Sequence, residues 1–249
     1  MIYVVSHKQV EMPFKLGKEY RIIQVGNREE TFGDVRDNTC DNIAEKNGSY
    51  CELTALYWLW KNCTDDYIGI DHYRRFFNNT FSYGHVIDDA TIRKILRKYD
   101  VIVSFNNKLG VTVKEDYCSE CGYEKDLIQL RNVIADLYPE YVPEFDEVFN
   151  GHSTYFYNMM IASQQVFTEY CKWLFNILFE VEKRIDISNY DAYHKRIFGF
   201  MAERLLTIYV QHNNLTPYQC GIVMTGEPWS VKKKILTGLK RKYYSLRQF

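Results

Sequence analysis

The sequence predicts an α/β domain of three layers built on a mixed central sheet, with a basic amphipathic tail, and three observations lead there. Short apolar runs at 2–5, 20–25, 67–70, 100–103, 155–161 and 221–224 have the length and β-branched or aromatic content of buried strands. Amphipathic stretches of helical period separate them, so strands and helices alternate along the whole length. At 249 residues, 46% hydrophobic and 25% charged, the chain can bury one sizeable core, and neither an internal repeat nor a low-complexity linker divides it. One domain over residues 1–230 and a tail over 231–249 follow.

The first strand, 2–5, ends at Ser6-His7-Lys8, and the second, 20–25, ends at Gly26-Asn27, placing polar groups at two strand ends. Residues 31–49 read as a long loop rich in Gly, Asp and Asn. Ser49 with Glu52 three residues on forms a capping box for a helix over 50–61, in which Leu53, Leu56, Tyr57 and Trp60 share one face. Tyr67, Ile68 and Ile70 then form a strand that runs directly into Asp71, His72, Tyr73, Arg74 and Arg75. Helices are expected at 91–99 and 124–138, the latter closed by Pro139. Beyond the strand at 155–161, two long helices at 165–184 and 190–212 precede the last strand.

Several chemistries lack their signatures. No Gly-x-Gly-x-x-Gly follows the first strand and no Gly-x-x-x-x-Gly-Lys-Ser/Thr occurs, which disfavours dinucleotide oxidoreductases and P-loop enzymes. Gly-x-Ser-x-Gly and His-Glu-x-x-His are missing too. Seven cysteines at irregular spacing argue against a secreted disulfide framework, and Cys118-x-x-Cys121 has no second ligand pair to complete a zinc site. No run approaches the roughly 20 apolar residues of a spanning helix, and the apolar start is too short for a signal peptide, so a cytoplasmic protein is expected.

The 71–75 cluster carries the chemistry. In open α/β sheets ligands bind at the carboxyl ends of strands, and a guanidinium presents a planar fork that pairs with two phosphate oxygens at once. Arg74 and Arg75 therefore suit a diphosphate. The alternative is a solvated loop in which they pair with Asp65, Asp66 or Asp88. A sheet with polar strand ends, an arginine pair and spare carboxylates is the equipment of a sugar-nucleotide transferase, whose leaving diphosphate needs positive charge and whose acceptor needs a base. No strict Asp-x-Asp is present; the nearest are Asp65-Asp66, Asp88-Asp89 and the lone Asp71. Direct neutralisation by Arg74, Arg75 and Lys8 is favoured, with a divalent cation (Mn or Mg) left open.

Net charge of −1 conceals an asymmetry: residues 231–249 hold seven Lys or Arg and no acid, so a +7 tail follows a −8 body. Ile235, Leu236, Leu239, Tyr243, Tyr244, Leu246 and Phe249 interleave with those bases, as in a segment lying on anionic lipid. A helix docked on the acidic body or a nucleic-acid patch are the alternatives. The acidic body and the lack of a recognition motif make nucleic acid the least favoured.

In combination and in order, several segments resemble a bacterial glycosyltransferase family long filed as a domain of unknown function and associated with galactofuranose transfer. They are Ser6-His7-Lys8, 41–47 leading into Tyr50-Cys51-Glu52-Leu53-Thr54, 57–62, Gly69 through Phe76, Tyr157-Asn158-Met159-Met160-Ile161, and 199–206. The resemblance spans residues 2–212. It implies a GT-A-like fold, UDP-galactofuranose as donor and an inverting transfer to a lipid-linked saccharide in capsule, exopolysaccharide or O-antigen synthesis. The basic tail then suits attachment to the inner face of the cell membrane. The implied donor site comprises Ser6, His7, Lys8, Gly26, Asp41, Asn42, Lys46, Asn47, His72, Tyr73, Arg74 and Arg75. Glu203, Asp191 and Asp71 are the catalytic candidates, and His152 and Asn158 flank the acceptor. For Glu203 with Arg204 a buried structural ion pair is the competing reading. A transferase for another nucleotide sugar, or a non-catalytic scaffold of polysaccharide assembly, are the alternatives for the whole chain.

Overall fold

The computed structural model describes residues 1–12, 15–79 and 85–225; the basic tail over 231–249 lies outside them. Ten strands and eight α-helices are present among these residues. In chain order the strands are β1 (Ile2–Ser6), β2 (Tyr20–Gln24), β3 (Val35–Arg36), β4 (Tyr67–His72), β5 (Arg75–Asn78), β6 (Val101–Ser104), β7 (Asn107–Lys108), β8 (Ser153–Thr154), β9 (Met160–Ser163) and β10 (Pro217–Met224). The helices are α1 (Asn47–Tyr50), α2 (Leu53–Asn62), α3 (Asp89–Leu96), α4 (Val113–Glu120), α5 (Glu124–Leu137), α6 (Val142–Asn150), α7 (Gln164–Arg184) and α8 (Ile197–His212).

The sheet is mixed. β3, β2, β1 and β4 run parallel side by side. Past β4 the sheet bends into a ring. The first half of β4 pairs antiparallel with β9, β9 with β6, β6 parallel with β10, and β10 antiparallel with β5. β5 closes the ring on the tip of β4 at His72 and Arg75. Side chains of a strand alternate between faces, and the apolar residues sort accordingly. Tyr3, Val5, Ile68, Ile70, Val101, Val103, Met160 and Ala162 join one cluster under α2 and α4–α8. Ile2, Val4, Tyr67, Ile102 and Ile161 join a second, thinner one with β5 and α3.

Gly69 lies at the centre of β4, opposite Ile2 on one neighbour and Ile161 on the other. A Cβ there would stand 3.0 Å from a side-chain carbon of each, so the glycine lets three strands approach closely.

Departures from the expected elements have local causes. Ser49 sits inside α1 and its hydroxyl donates to the Lys46 carbonyl (3.3 Å), so it does not cap α2, which has no side-chain cap. A capping box is present instead at Thr112 and Glu115, opening α4. The helix expected from 190 begins only at Ile197, because the Asp191 carboxylate accepts from the Tyr193 and His194 amides (2.8 and 2.9 Å) and fixes a turn. The strand expected at 155–161 pairs only from Met160, since Tyr157 and Asn158 adopt φ of 81° and 50°. β3, β5, α4 and α6 were not expected from the sequence and are new with the structure.

Gly69→Val should cost about 1–3 kcal/mol through overpacking and lower Tm by several degrees in a thermal melt. An unchanged Tm would show that the strands part without penalty.

Candidate functional site

A cavity of about 630 Å³ opens at the carboxyl ends of β1, β2 and β4. Strand parity decides which sequence candidates reach it. Val5 and His7, on the helical face of the sheet, line it, and so does His72 at the end of β4. Ser6 and Asp71 have the opposite parity. Ser6 is buried and its hydroxyl donates to the Lys8 carbonyl (2.6 Å). Asp71 is fully buried on the far face, where one oxygen accepts from the Phe77 amide (3.2 Å) and the other has no partner. Burial pushes its carboxyl well above the usual range, so Asp71 braces the β4–β5 hairpin and does not face the cavity.

That hairpin displays Tyr73, Arg74 and Arg75 at the cavity wall. The Tyr73 ring gathers the cations around it, with Arg74 5.0 Å and Lys8 5.6 Å from its centroid and His7 edge-on at 5.3 Å. Arg75 lies over the Tyr157 ring at 4.5 Å, and its buried Nε has no hydrogen-bond partner. Arg28, in the loop after β2, and Arg196, on the turn before α8, line the same cavity. None of these four arginines pairs with a carboxylate among the described residues. The acids that were their alternative partners are engaged elsewhere: Asp65 accepts from Tyr3 (2.8 Å), Asp66 pairs with Arg93 (3.3 Å), and Asp88 caps α3. Burial, followed by Arg28, Lys8, Arg74 and Arg196, holds His7 below its usual pKa, which favours the neutral ring.

The helical side adds carboxylates to the lining: Glu52 before α2, Asp116 and Glu120 on α4, and Glu203 on α8. Glu203 accepts from the Tyr157 amide (3.1 Å) and from Arg204 (2.8 Å). Burial pushes its pKa up to about 7, with Glu52 adding to the rise and Arg204 opposing it. Arg204 is 1% exposed and also pairs with Asp116 (2.9 Å), tying α8 to α4. The buried ion pair and a cavity-facing carboxylate are thus both realised at Glu203. Glu52 is held by the Asn158 amide (2.6 Å), which also donates to the Gly199 carbonyl (2.9 Å). Asn158 is therefore a buried positioning residue and not a wall of the cavity.

The remaining candidates divide. Asn47 lines the cavity and donates to the Cys51 carbonyl (2.8 Å) and Thr54 (3.1 Å). Gly26, with φ of 81°, sits behind it and donates its amide to the buried Asp37 (2.9 Å). Asp41 and Asn42 lie away from the cavity: Asp41 accepts from Tyr57 (3.1 Å), and Asn42 turns its own loop by accepting from the Ala44 amide (3.1 Å). Lys46 pairs with Glu182 (2.8 Å). Asp191 pairs with His194 (2.6 Å) in the turn before α8, outside the lining, and His152 is exposed at the end of α6. Among the described residues no three His, Cys, Asp or Glu side chains group to hold the divalent cation left open by the sequence.

Sequence reasoning missed Arg28, Cys51, Tyr193 and Arg196. The local signal for Arg28 was present, since it stands two residues beyond Gly26. The others depend on a turn that closes over the sheet from far along the chain. Cys51, with φ of 53°, lines the cavity and its sulfur accepts from Arg196 Nε (3.3 Å). With Tyr157 and Asn158 it makes three non-glycine residues of positive φ in or directly behind the site, the concentration of backbone strain found at functional centres.

The solved apo structure of WbbM, a bifunctional glycosyltransferase, matches this chain with a TM-score of 0.81 at 28% identity over 91% of its length. The match covers 45% of WbbM, so this chain spans less than half of that protein. No curated protein matches it significantly. Residues 1–214 match the family described as a domain of unknown function, DUF4422, and the chain belongs to that family.

Proposed function

We propose that this chain is a glycosyltransferase that moves a sugar from a nucleoside-diphosphate donor to a saccharide acceptor. UDP-galactofuranose is the donor in this reading, and a lipid-linked saccharide of a bacterial surface polysaccharide is the acceptor. The observation that weighs most is the set of four arginines without salt-bridge partners among the described residues, lining one cavity together with a carboxylate of raised pKa. The likeness to WbbM and the sheet order supply independent support for a GT-A-like transferase.

An acceptor hydroxyl attacks the anomeric carbon as the bond to the diphosphate oxygen breaks, and configuration inverts. Negative charge grows on the leaving UDP. Arg74 and Arg75, with Arg28 and Arg196, neutralise it, taking the role a divalent ion fills where an Asp-x-Asp is present. Glu203 takes the proton from the acceptor hydroxyl, a task suited to a group that titrates near the working pH. Glu52, fixed by Asn158, helps to keep the Glu203 pKa high. No described helix is long and apolar enough to cross a membrane, and the tail over 231–249 is assigned to peripheral contact with the inner face of the cell membrane.

Incubation with UDP-galactofuranose, UDP-galactopyranose and UDP-glucose beside a galactose-terminated lipid should release UDP with the furanose donor. Silence with all three would refute the assignment in favour of a scaffold. Arg74→Ala and Arg75→Ala should each lose charge-assisted hydrogen bonds of about 1.5–3 kcal/mol, weakening UDP binding in calorimetry by roughly 10- to 100-fold. Wild-type affinity in both would contradict the diphosphate site. Glu203 must be ionised to act, so kcat should rise with pH and level off above about 7. Glu203→Gln should lower kcat by roughly 10²- to 10⁴-fold while UDP still binds; a modest loss with an unchanged pH profile would leave Glu203 a structural partner of Arg204.

A further inference from the structure

Five large apolar side chains are exposed among the described residues, and of these Tyr193 alone lines the cavity. It is 47% exposed. The molecule holds it there. The Asp191 carboxylate accepts from the Tyr193 amide (2.8 Å), the His194 amide (2.9 Å) and the His194 ring (2.6 Å), which fixes the turn that carries the tyrosine. The Phe200 ring backs Tyr193 at 5.2 Å, and Tyr123, itself exposed, stacks on His194 at 5.2 Å. An aromatic ring left in water forgoes the gain of burying its apolar area, and three hydrogen bonds brace the turn that keeps it there.

Tyr193, Arg196, Phe200 and Glu203 are contributed by the turn and α8, whereas His7, Arg28, Arg74 and Arg75 come from the ends of the strands. A sugar ring has one face of C–H groups and a rim of hydroxyls, which matches a tyrosine's flat apolar face and polar tip. We propose that Tyr193 is the platform on which the acceptor's sugar ring stacks, which makes the 191–194 turn the acceptor subsite and Asp191 its positioning residue. The assignment rests on the transferase reading above and adds the side from which the acceptor enters. In a displacement with inversion the acceptor approaches from the side of the base, and Tyr193 stands on the turn that leads into α8, the helix that carries Glu203.

Binding of octyl β-galactopyranoside to the full-length protein saturated with UDP can be followed by NMR saturation transfer to the sugar-ring protons, with UDP affinity measured in parallel by calorimetry. Wild type, Tyr193→Phe and Tyr193→Trp should bind the galactoside alike. Tyr193→Ala should bind it about tenfold more weakly, and Asp191→Ala should weaken it to a smaller extent; the three Tyr193 variants and wild type should share one UDP affinity. Equal galactoside binding by wild type and Tyr193→Ala would overturn the proposal. So would the lack of transfer to ring protons in wild type, or a Tyr193→Ala defect in UDP affinity, which would give the ring to the nucleotide. A protein that takes the galactoside through Tyr193 but never binds UDP would instead remove the transferase reading and leave the platform standing.

Discussion

Positive charge gathered at one cavity is the constraint around which this molecule is arranged. Arg28, Arg74, Arg75 and Arg196 line it without a salt-bridge partner among the described residues, and like charges brought to one site repel the more strongly the closer they stand. Arg75 goes further, with a buried Nε that meets no acceptor. Such a site costs stability that the rest of the fold must offset. The ring of strands supplies the offset: β4 and β5 are each paired on both sides, which fixes the short turn between them.

The helical side of the cavity depends on a different device. Buried polar groups there are hydrogen-bonded to one another across long chain separations, as in Asn158 to Glu52 and Gly199, and Arg204 to Asp116 and Glu203. A second network joins Asp37 to Gly26 and Thr54, with the Thr54 hydroxyl donating at 2.5 Å, and passes through Asn47 to the cavity floor. Networks of this kind rigidify as their members are satisfied, and here Asn158 Oδ1 and Arg204 Nε are the atoms left over. The networks also explain why Cys51, Tyr157 and Asn158 tolerate left-handed backbone, since each is flanked by contacts that over-determine its position.

Much of the fold was legible because the strands read as short apolar runs and the long helices as amphipathic periods. β1, β4, β6, α5 and α7 fall within a residue or two of the expected bounds. The hairpin arginines were legible for the same reason, as charge at a strand end. Parity was the information misapplied: Asp71 adjoins His72 in sequence, yet a one-residue step in a strand turns it to the far face. Asp41, Asn42 and Lys46 were drawn to the site by their polarity, which instead serves loop closure and a helix-to-helix ion pair. Tyr193 and Arg196 were illegible because a carboxylate cap at Asp191 breaks the expected helix, and helical period says nothing of such a turn. Glu203 was legible as a candidate through the resemblance, but its placement depends on Arg204 and on Tyr157, 46 residues away in the chain.

The most direct test of the account is a crystal structure of the UDP complex, read at the diphosphate. The arrangement predicts phosphate oxygens within about 2.7–3.2 Å of the guanidinium nitrogens of Arg74 and Arg75, with Glu203 lining the same cavity. UDP bound at another surface, or seated in the cavity with both guanidinium groups turned away from its phosphates, would contradict it.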